Sequence, residues 1–234
     1  MASDRRSNTP ATGHAAEPVE AVVFDLDGLL LDSETIWEEV RRQFVAENGG
    51  QWHADTQSKL MGMSTKEWAA YLHEDLRVEM PPESIVTAVV GEMEDSYERR
   101  LPLIDGAPAA VKLLAARWPL GIASSSPRRL VDFVLECAHL SESFTVTVSS
   151  DEVDRGKPAP DVYIEAARRL GVPPNRCAAV EDSGNGLRSA AAARMRVVAI
   201  PNRHYAPSTD AVTLASIVLA NLHELTVECV ESLR

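Results

Sequence analysis

Four short polar clusters interrupt an otherwise apolar pattern in this 234-residue chain: Asp25-Leu26-Asp27-Gly28, Ser124-Ser125-Ser126, Gly156-Lys157-Pro158 and Glu181-Asp182. Their residue types suit phosphoryl transfer. That reaction needs a nucleophile in line with phosphorus, positive charge on the phosphate oxygens and an acid for the departing alkoxide. Asp25 could be the nucleophile, forming an aspartyl-phosphate. Asp27, two residues on in an extended turn, could protonate the alkoxide and then activate water. Asp182, joined by the Asp27 carbonyl, could hold Mg²⁺, a hard ion that seeks oxygen. Lys157 offers the phosphoryl oxygens a point charge, and Ser124 offers them a hydroxyl.

Each fragment alone has a plainer reading. Asp-x-Asp after a strand is commonly a turn, and serines before Pro127 make a good helix N-cap. The order of the four, each at the end of an apolar run, favours chemistry. The first run is Val19–Phe24, a buried strand that stops at Asp25. Leu120–Ala123 leads into the serines, and Cys177–Val180 leads into Glu181-Asp182. Further strands are expected at Thr145–Val148 and Arg196–Ile200, and a weak one at Ile217–Leu219. Helices are expected between them, at Ala107–Trp118, Pro127–Ala138, Asp161–Leu170 and Gly186–Ala193, with Gly171 stopping the third. Strand–helix alternation predicts a parallel sheet with helices on both faces and its site at the carboxyl ends of the strands.

Residues 34–102 break this rhythm. Ile36, Trp37, Val40 and Phe44 recur at helical spacing up to Asn48-Gly49-Gly50. Ser64-Thr65-Lys66-Glu67 is a capping box, and Pro81-Pro82 opens another helix that Pro102 closes. The block reads as an all-helical insert. It holds 14 Asp/Glu against 7 Lys/Arg and so carries −7 of the net −12.

That charge argues against a nucleic-acid or anionic-membrane partner. Cys137, Cys177 and Cys229 are odd in number and far apart, which favours neither a disulfide framework nor a zinc knuckle and suits a reducing cytoplasm. The longest uncharged apolar-rich stretch, Ala211–Leu222, is too short to span a bilayer. Residues 1–17 read as a flexible tail without an apolar core of the kind a signal peptide carries. Little apolar surface is expected on the insert, and a monomer is the expectation.

Taken together, Asp25-Leu26-Asp27-Gly28, Ser124, Lys157-Pro158-Ala159-Pro160-Asp161 and Val180-Glu181-Asp182-Ser183 resemble the four ordered motifs of the haloacid dehalogenase-like hydrolase superfamily. The subgroup resembled contains sugar-phosphate phosphatases and β-phosphoglucomutase. The resemblance implies an α/β fold: a Rossmann-like parallel sheet core, residues 18–33 and 103–234, with an inserted helical cap, residues 34–102. It implies Asp25 as nucleophile and Asp27 as acid–base. Phosphate would be held by Leu26, Asp27, Ser124, Ser125 and Lys157. Mg²⁺ would be held by Asp25, Asp27 and Asp182, with Glu181 as a ligand or a partner of one. Glu34, Trp37, Met61 and Gly62 are the cap residues expected to face substrate, a small phosphorylated metabolite such as a sugar or polyol phosphate. The alternative is a β-phosphoglucomutase-like phosphosugar mutase. Against it, Trp37 stands where mutase-like relatives carry a histidine, and Lys66 is the only cation near the cap loop at 60–65.

Overall fold

The computed structural model describes residues 17–61 and 63–233. The expected tail, apart from Glu17, and the expected substrate residue Gly62 lie outside them. Strand β1 (Ala21–Phe24) is followed by four helices, α1 (Glu34–Glu47), α2 (Thr56–Leu60), α3 (Thr65–Glu74) and α4 (Pro82–Arg99). The chain then alternates: α5 (Ala107–Ala115), β2 (Leu120–Ser124), α6 (Arg128–Cys137), β3 (Val146–Ser149), α7 (Asp161–Leu170), β4 (Cys177–Glu181), α8 (Gly184–Ala192) and β5 (Arg196–Ala199). Helix α9 (Thr209–Val212), β6 (Ile217–Val218) and α10 (Val227–Glu231) complete it.

The six strands form one parallel sheet in the order β3-β2-β1-β4-β5-β6. Side chains alternate across a strand, so β1 feeds two cores. Val22 and Phe24 join Leu120, Ile122, Ala178 and Val180 under α5 and α6. Ala21 and Val23 join Ala123, Cys177, Ala179 and Val197 under α7 and α8. Both faces are covered, which is why β1 and β4 are apolar at every position before their acidic ends. The strand order reverses between β1 and β4. That crevice is where sheets of this kind place ligands, and here it is flanked by Asp25 and by Glu181-Asp182.

Every regular element among the described residues of the insert is a helix, as expected. Trp68, Leu72, Val89, Met93 and Tyr97 are buried between α3 and α4, and the Trp37 and Trp68 rings lie 6.2 Å apart at 59°. The capping box forms: the Ser64 hydroxyl accepts the Glu67 N–H, and the Glu67 carboxylate accepts the Ser64 N–H at 2.8 Å. Insert and core are joined by two chain crossings that run side by side. Asp32 N donates to Pro102 O (2.8 Å) and Ile104 N to Leu30 O (2.9 Å).

Several expected boundaries shift. Helix α5 ends at Ala115, and Trp118 lies beyond it, buried, with its indole N–H donating to Val19 O at 3.0 Å. Helix α8 begins two residues earlier than its apolar pattern suggests, because Ser183 caps it through Gly186 N. Strand β3 runs one residue later, pairing Ser124 with Ser149. Helices α2, α9 and α10 were not expected. No helix of the described residues is long and apolar enough to cross a membrane.

Candidate active site

The carboxyl ends of β1, β2 and β4 and the loop before α7 meet at one cavity of about 370 Å³, lined among others by Asp25, Asp27, Glu34, Met61, Ser125 and Lys157. Asp25 follows β1 directly and is fixed by its own N–H to Val180 O (3.0 Å). Its Oδ1 accepts Lys157 Nζ at 2.5 Å. The same ammonium donates to Glu181 Oε1 at 2.6 Å and lies 5.1 Å from the centre of the Tyr163 ring. Tyr163 donates its hydroxyl to Glu181 Oε1 at 2.7 Å. Glu181 Oε2 accepts the N–H groups of Asp182 and Ser183 and the Ser183 hydroxyl.

Glu181 is therefore saturated by five donors. Its place is that of a fully buried anchor for Lys157. Asp182 is different. Its Oδ2 accepts Asn202 Nδ2 at 3.0 Å, while its Oδ1 is buried without a hydrogen-bond partner. Carboxylate oxygens of Asp25, Glu181 and Asp182 all lie within 4.8 Å of one another. Three buried carboxylates share one ammonium, and would carry a net −2 if all were ionised. Burial first, and then Glu181 and Asp27, push Asp25 up to about 8 against the pull of Lys157. Burial, and then Asp25 and Glu181, raise Asp182 well above the usual carboxylate range. Although burial opposes it, Asp25 and Glu181 hold the Lys157 ammonium charged beyond its ordinary range. An orphaned oxygen and a surplus of carboxylate, with only oxygen donors at hand, fit a hard divalent cation.

Asp27 is held apart from this cluster. Its Oδ1 accepts the Ser33 hydroxyl (2.7 Å) and Trp37 Nε1 (3.2 Å), and its Oδ2 accepts the Ser126 hydroxyl (2.6 Å). Its main-chain carbonyl accepts no hydrogen bond among the described residues. The plainer reading of the serines before Pro127 as a helix cap does not hold here. Neither Ser33 before α1 nor any serine before α6 caps its helix with a side chain; Ser33 and Ser126 turn to Asp27 instead.

Ser124 is fully buried and accepts the Ser126 N–H at 3.0 Å, whereas Ser125 lines the cavity. Among the described residues nothing accepts from the N–H groups of Leu26, Asp27 or Ser125, so three amides remain free for an anion. Gly28 takes φ +81°, and a Cβ there would lie 2.1 Å from Asp182 Oδ2. Only glycine permits that approach.

Glu34 and Met61 line this cavity from the insert, and Trp37 reaches Asp27. Five further residues were not singled out by sequence reasoning: Ser33, Ser126, Tyr163, Asn202 and Arg41. Ser126 was quoted within its cluster without a role and Ser33 adjoins the first helix of the insert, but what they do depends on where the chain turns. Arg41 could have been found, since it lies four residues after Trp37 and so on the same helical face. It corrects the expectation that Lys66 is the only nearby cation: Lys66 is exposed on α3, while Arg41 is buried beside Trp37.

The haloacid dehalogenase-like hydrolase family model matches residues 19–194, a span that contains all four clusters. The chain is 34% identical over 212 residues to hexitol phosphatase B of Escherichia coli (strain K12), covering 88% of this chain and 94% of that one. It is 30% identical over 186 residues to the fructose-1-phosphate phosphatase YqaB of the same strain, covering 78% and 96%. Among solved structures it resembles CbbY from Rhodobacter sphaeroides in complex with phosphate, with a TM-score of 0.78, 26% identity, and coverage of 92% of this chain and 100% of that one. The chain belongs to the haloacid dehalogenase-like hydrolase family.

Proposed function

We propose that this protein is a Mg²⁺-dependent phosphatase that hydrolyses a sugar or polyol monophosphate through an aspartyl-phosphate. The observation that carries the reading is the pairing of two aspartates two residues apart in opposite environments. Asp25 lies against Lys157 and the carboxylate cluster. Asp27 is oriented by three neutral donors. One suits a nucleophile and the other a proton carrier.

In the first step an Asp25 oxygen attacks phosphorus, the ester P–O bond breaks, and Asp27 gives its proton to the leaving alkoxide. In the second, Asp27 takes a proton from water, the water oxygen attacks phosphorus, and the bond to Asp25 breaks to release phosphate. Lys157 and the amides of Leu26, Asp27 and Ser125 neutralise the phosphoryl oxygens in both steps. Asp25, Asp182 and the Asp27 carbonyl would hold Mg²⁺, which supplies charge neutralisation between nucleophile and phosphate. The mutase alternative fits less well. Trp37 donates its indole N–H to Asp27 and has no basic nitrogen with which to relay a proton. The hexitol and fructose 1-phosphate specificities of the relatives agree with the substrate class proposed.

The test is phosphate release from hexitol and hexose monophosphates with Mg²⁺, alongside assays for isomerised product. Release without isomerisation is expected. It should stop in excess chelator and fall by about 10³-fold or more in Asp25→Asn. Turnover in chelator, or by folded Asp25→Asn, would contradict the mechanism.

A further inference from the structure

A narrow recess of about 60 Å³ opens off the main cavity toward the cap. The two share Asp27, Glu34, Met61 and Ser125. The recess therefore begins beside the acid–base residue, on the side away from Lys157. Its cap wall includes Arg41, Trp37 and Trp68.

Arg41 is 7% exposed. Its guanidinium carbon lies 4.2 Å from the Trp37 ring centre and 5.1 Å from that of Trp68. The rings satisfy the face of the guanidinium but not its edge. Arg41 Nε is buried with no hydrogen-bond partner. Gln57, 6% exposed, has an unpartnered Oε1, and its Nε2 lies 3.4 Å from Glu34 Oε2. Among the described residues Arg41 makes no ion pair, Glu34 included. A buried charged donor left unmet is unfavourable unless something else fills the gap.

The occupant's chemistry follows from what surrounds the gap. An apolar group would leave the Arg41 edge unmet. A second phosphate or a carboxylate would satisfy Arg41 but face Asp27 and Glu34, within a cap already at −7. A hydroxyl both accepts and donates, so it answers Arg41 and Glu34 at once. The recess has room for a few waters, and so for a hydroxyl-bearing carbon or two.

Resting on the phosphatase reading above, we infer that Arg41 and Glu34 form a specificity pair that reads a hydroxyl on the uncharged, polyhydroxylated end of a monophosphate. The pair selects polyol chains over alkyl chains and over bisphosphates.

The experiment compares kcat/KM for sorbitol 6-phosphate, for hexyl phosphate (the same length without hydroxyls) and for a hexose bisphosphate. Wild type should prefer sorbitol 6-phosphate. In Arg41→Met the sorbitol-to-hexyl ratio should fall by about 10- to 100-fold, mostly through KM, the loss expected for a charged hydrogen bond. Arg41→Lys should keep part of it. A proportional fall for both substrates would assign Arg41 a structural role and overturn the inference, as would an unchanged ratio. So would a wild type that prefers the bisphosphate. If Arg41→Met does not fold, Glu34→Gln should lower the same ratio, and no change there is equally fatal. A wild type that hydrolyses hexyl phosphate as well as sorbitol 6-phosphate sinks this inference alone. One that releases phosphate from no ester sinks the phosphatase reading with it.

Discussion

Asp27 accepts three hydrogen bonds, one from Ser126 and one from Ser33, which stands at the N-cap of α1 without capping it through its side chain. Leaving a helix N-terminus without its side-chain cap costs about 1 kcal/mol, so the fold gives up stability to aim one carboxylate. Glu34 shows the same tension. Burial, and then the Asp27 charge, push it up to about 7, with Arg41 pulling the other way. A carboxyl whose pKa is higher folded than unfolded binds its proton more tightly in the folded state. Its contribution is therefore complete below the ordinary value near 4.5 and is lost as pH rises through about 7. Glu34→Gln should match the wild type near the acidic limit and exceed it above neutrality by about 1–3 kcal/mol. Denaturant melts of both proteins at the two pH values, without metal, check this. An advantage equal at both would mean that ionisation of Glu34 is not its source.

At the scale of elements, helix α8 meets its strand with no room to spare. The first turn of α8 lies on Glu181, and a Cβ on Gly186 would come within 1.9 Å of that carboxylate. Gly186→Ala must displace either the helix or the anchor of Lys157. It should destabilise the protein by about 1–3 kcal/mol and lower kcat more than it raises KM, as thermal melts and steady-state kinetics would show. A stable variant with full kcat would mean that Glu181 is free to move. How far such features are legible in sequence varies by element. Strands β1, β2 and β4 are readable because a sheet buried on both faces demands apolar runs, and a polar residue can enter only where the run ends. Asp25 and Asp182 follow from those ends, and Lys157 from the loop before α7. Helices α2, α9 and α10 have four or five residues, too few to show a 3.6-residue period. The serines that serve Asp27 were hidden because their spacing fits a cap equally well. Asn202 was hidden because it meets Asp182 only through the sheet's pairing. Arg41 was overlooked because a charge on an apolar face is discounted until its partners are seen.

For the whole molecule, the decisive relation is between cap and core. Residues of the cap complete both the cavity and the recess, yet the two bodies are joined covalently only by the crossings near Leu31–Ser33 and Leu101–Asp105. Elsewhere polar contacts hold the seam: Arg129 of α6 pairs with Glu94 of α4, and the Tyr205 hydroxyl donates to Glu38 of α1 at 3.0 Å. Arg129 is largely exposed, and an ion pair held by so solvated a partner contributes little stability. A seam built from such contacts can part, while the paired backbone at Leu31 and Leu103 keeps the crossings together as a hinge. Opening would admit substrate and release product, and closing would bring Trp37 and Glu34 onto Asp27 while shedding water. Locking the seam should therefore arrest turnover without disturbing the chemistry groups. Glu94→Cys with Arg129→Cys, in a background where Cys137 and Cys229 are replaced by serine, can be joined by a short reducible cross-linker. Turnover of a polyol phosphate should fall about tenfold or more once joined, the scale on which lid motion limits kcat, and should return on reduction. Equal rates in the joined and reduced forms would show that substrate reaches Asp25 with the cap closed, and the hinge would then have no part in catalysis.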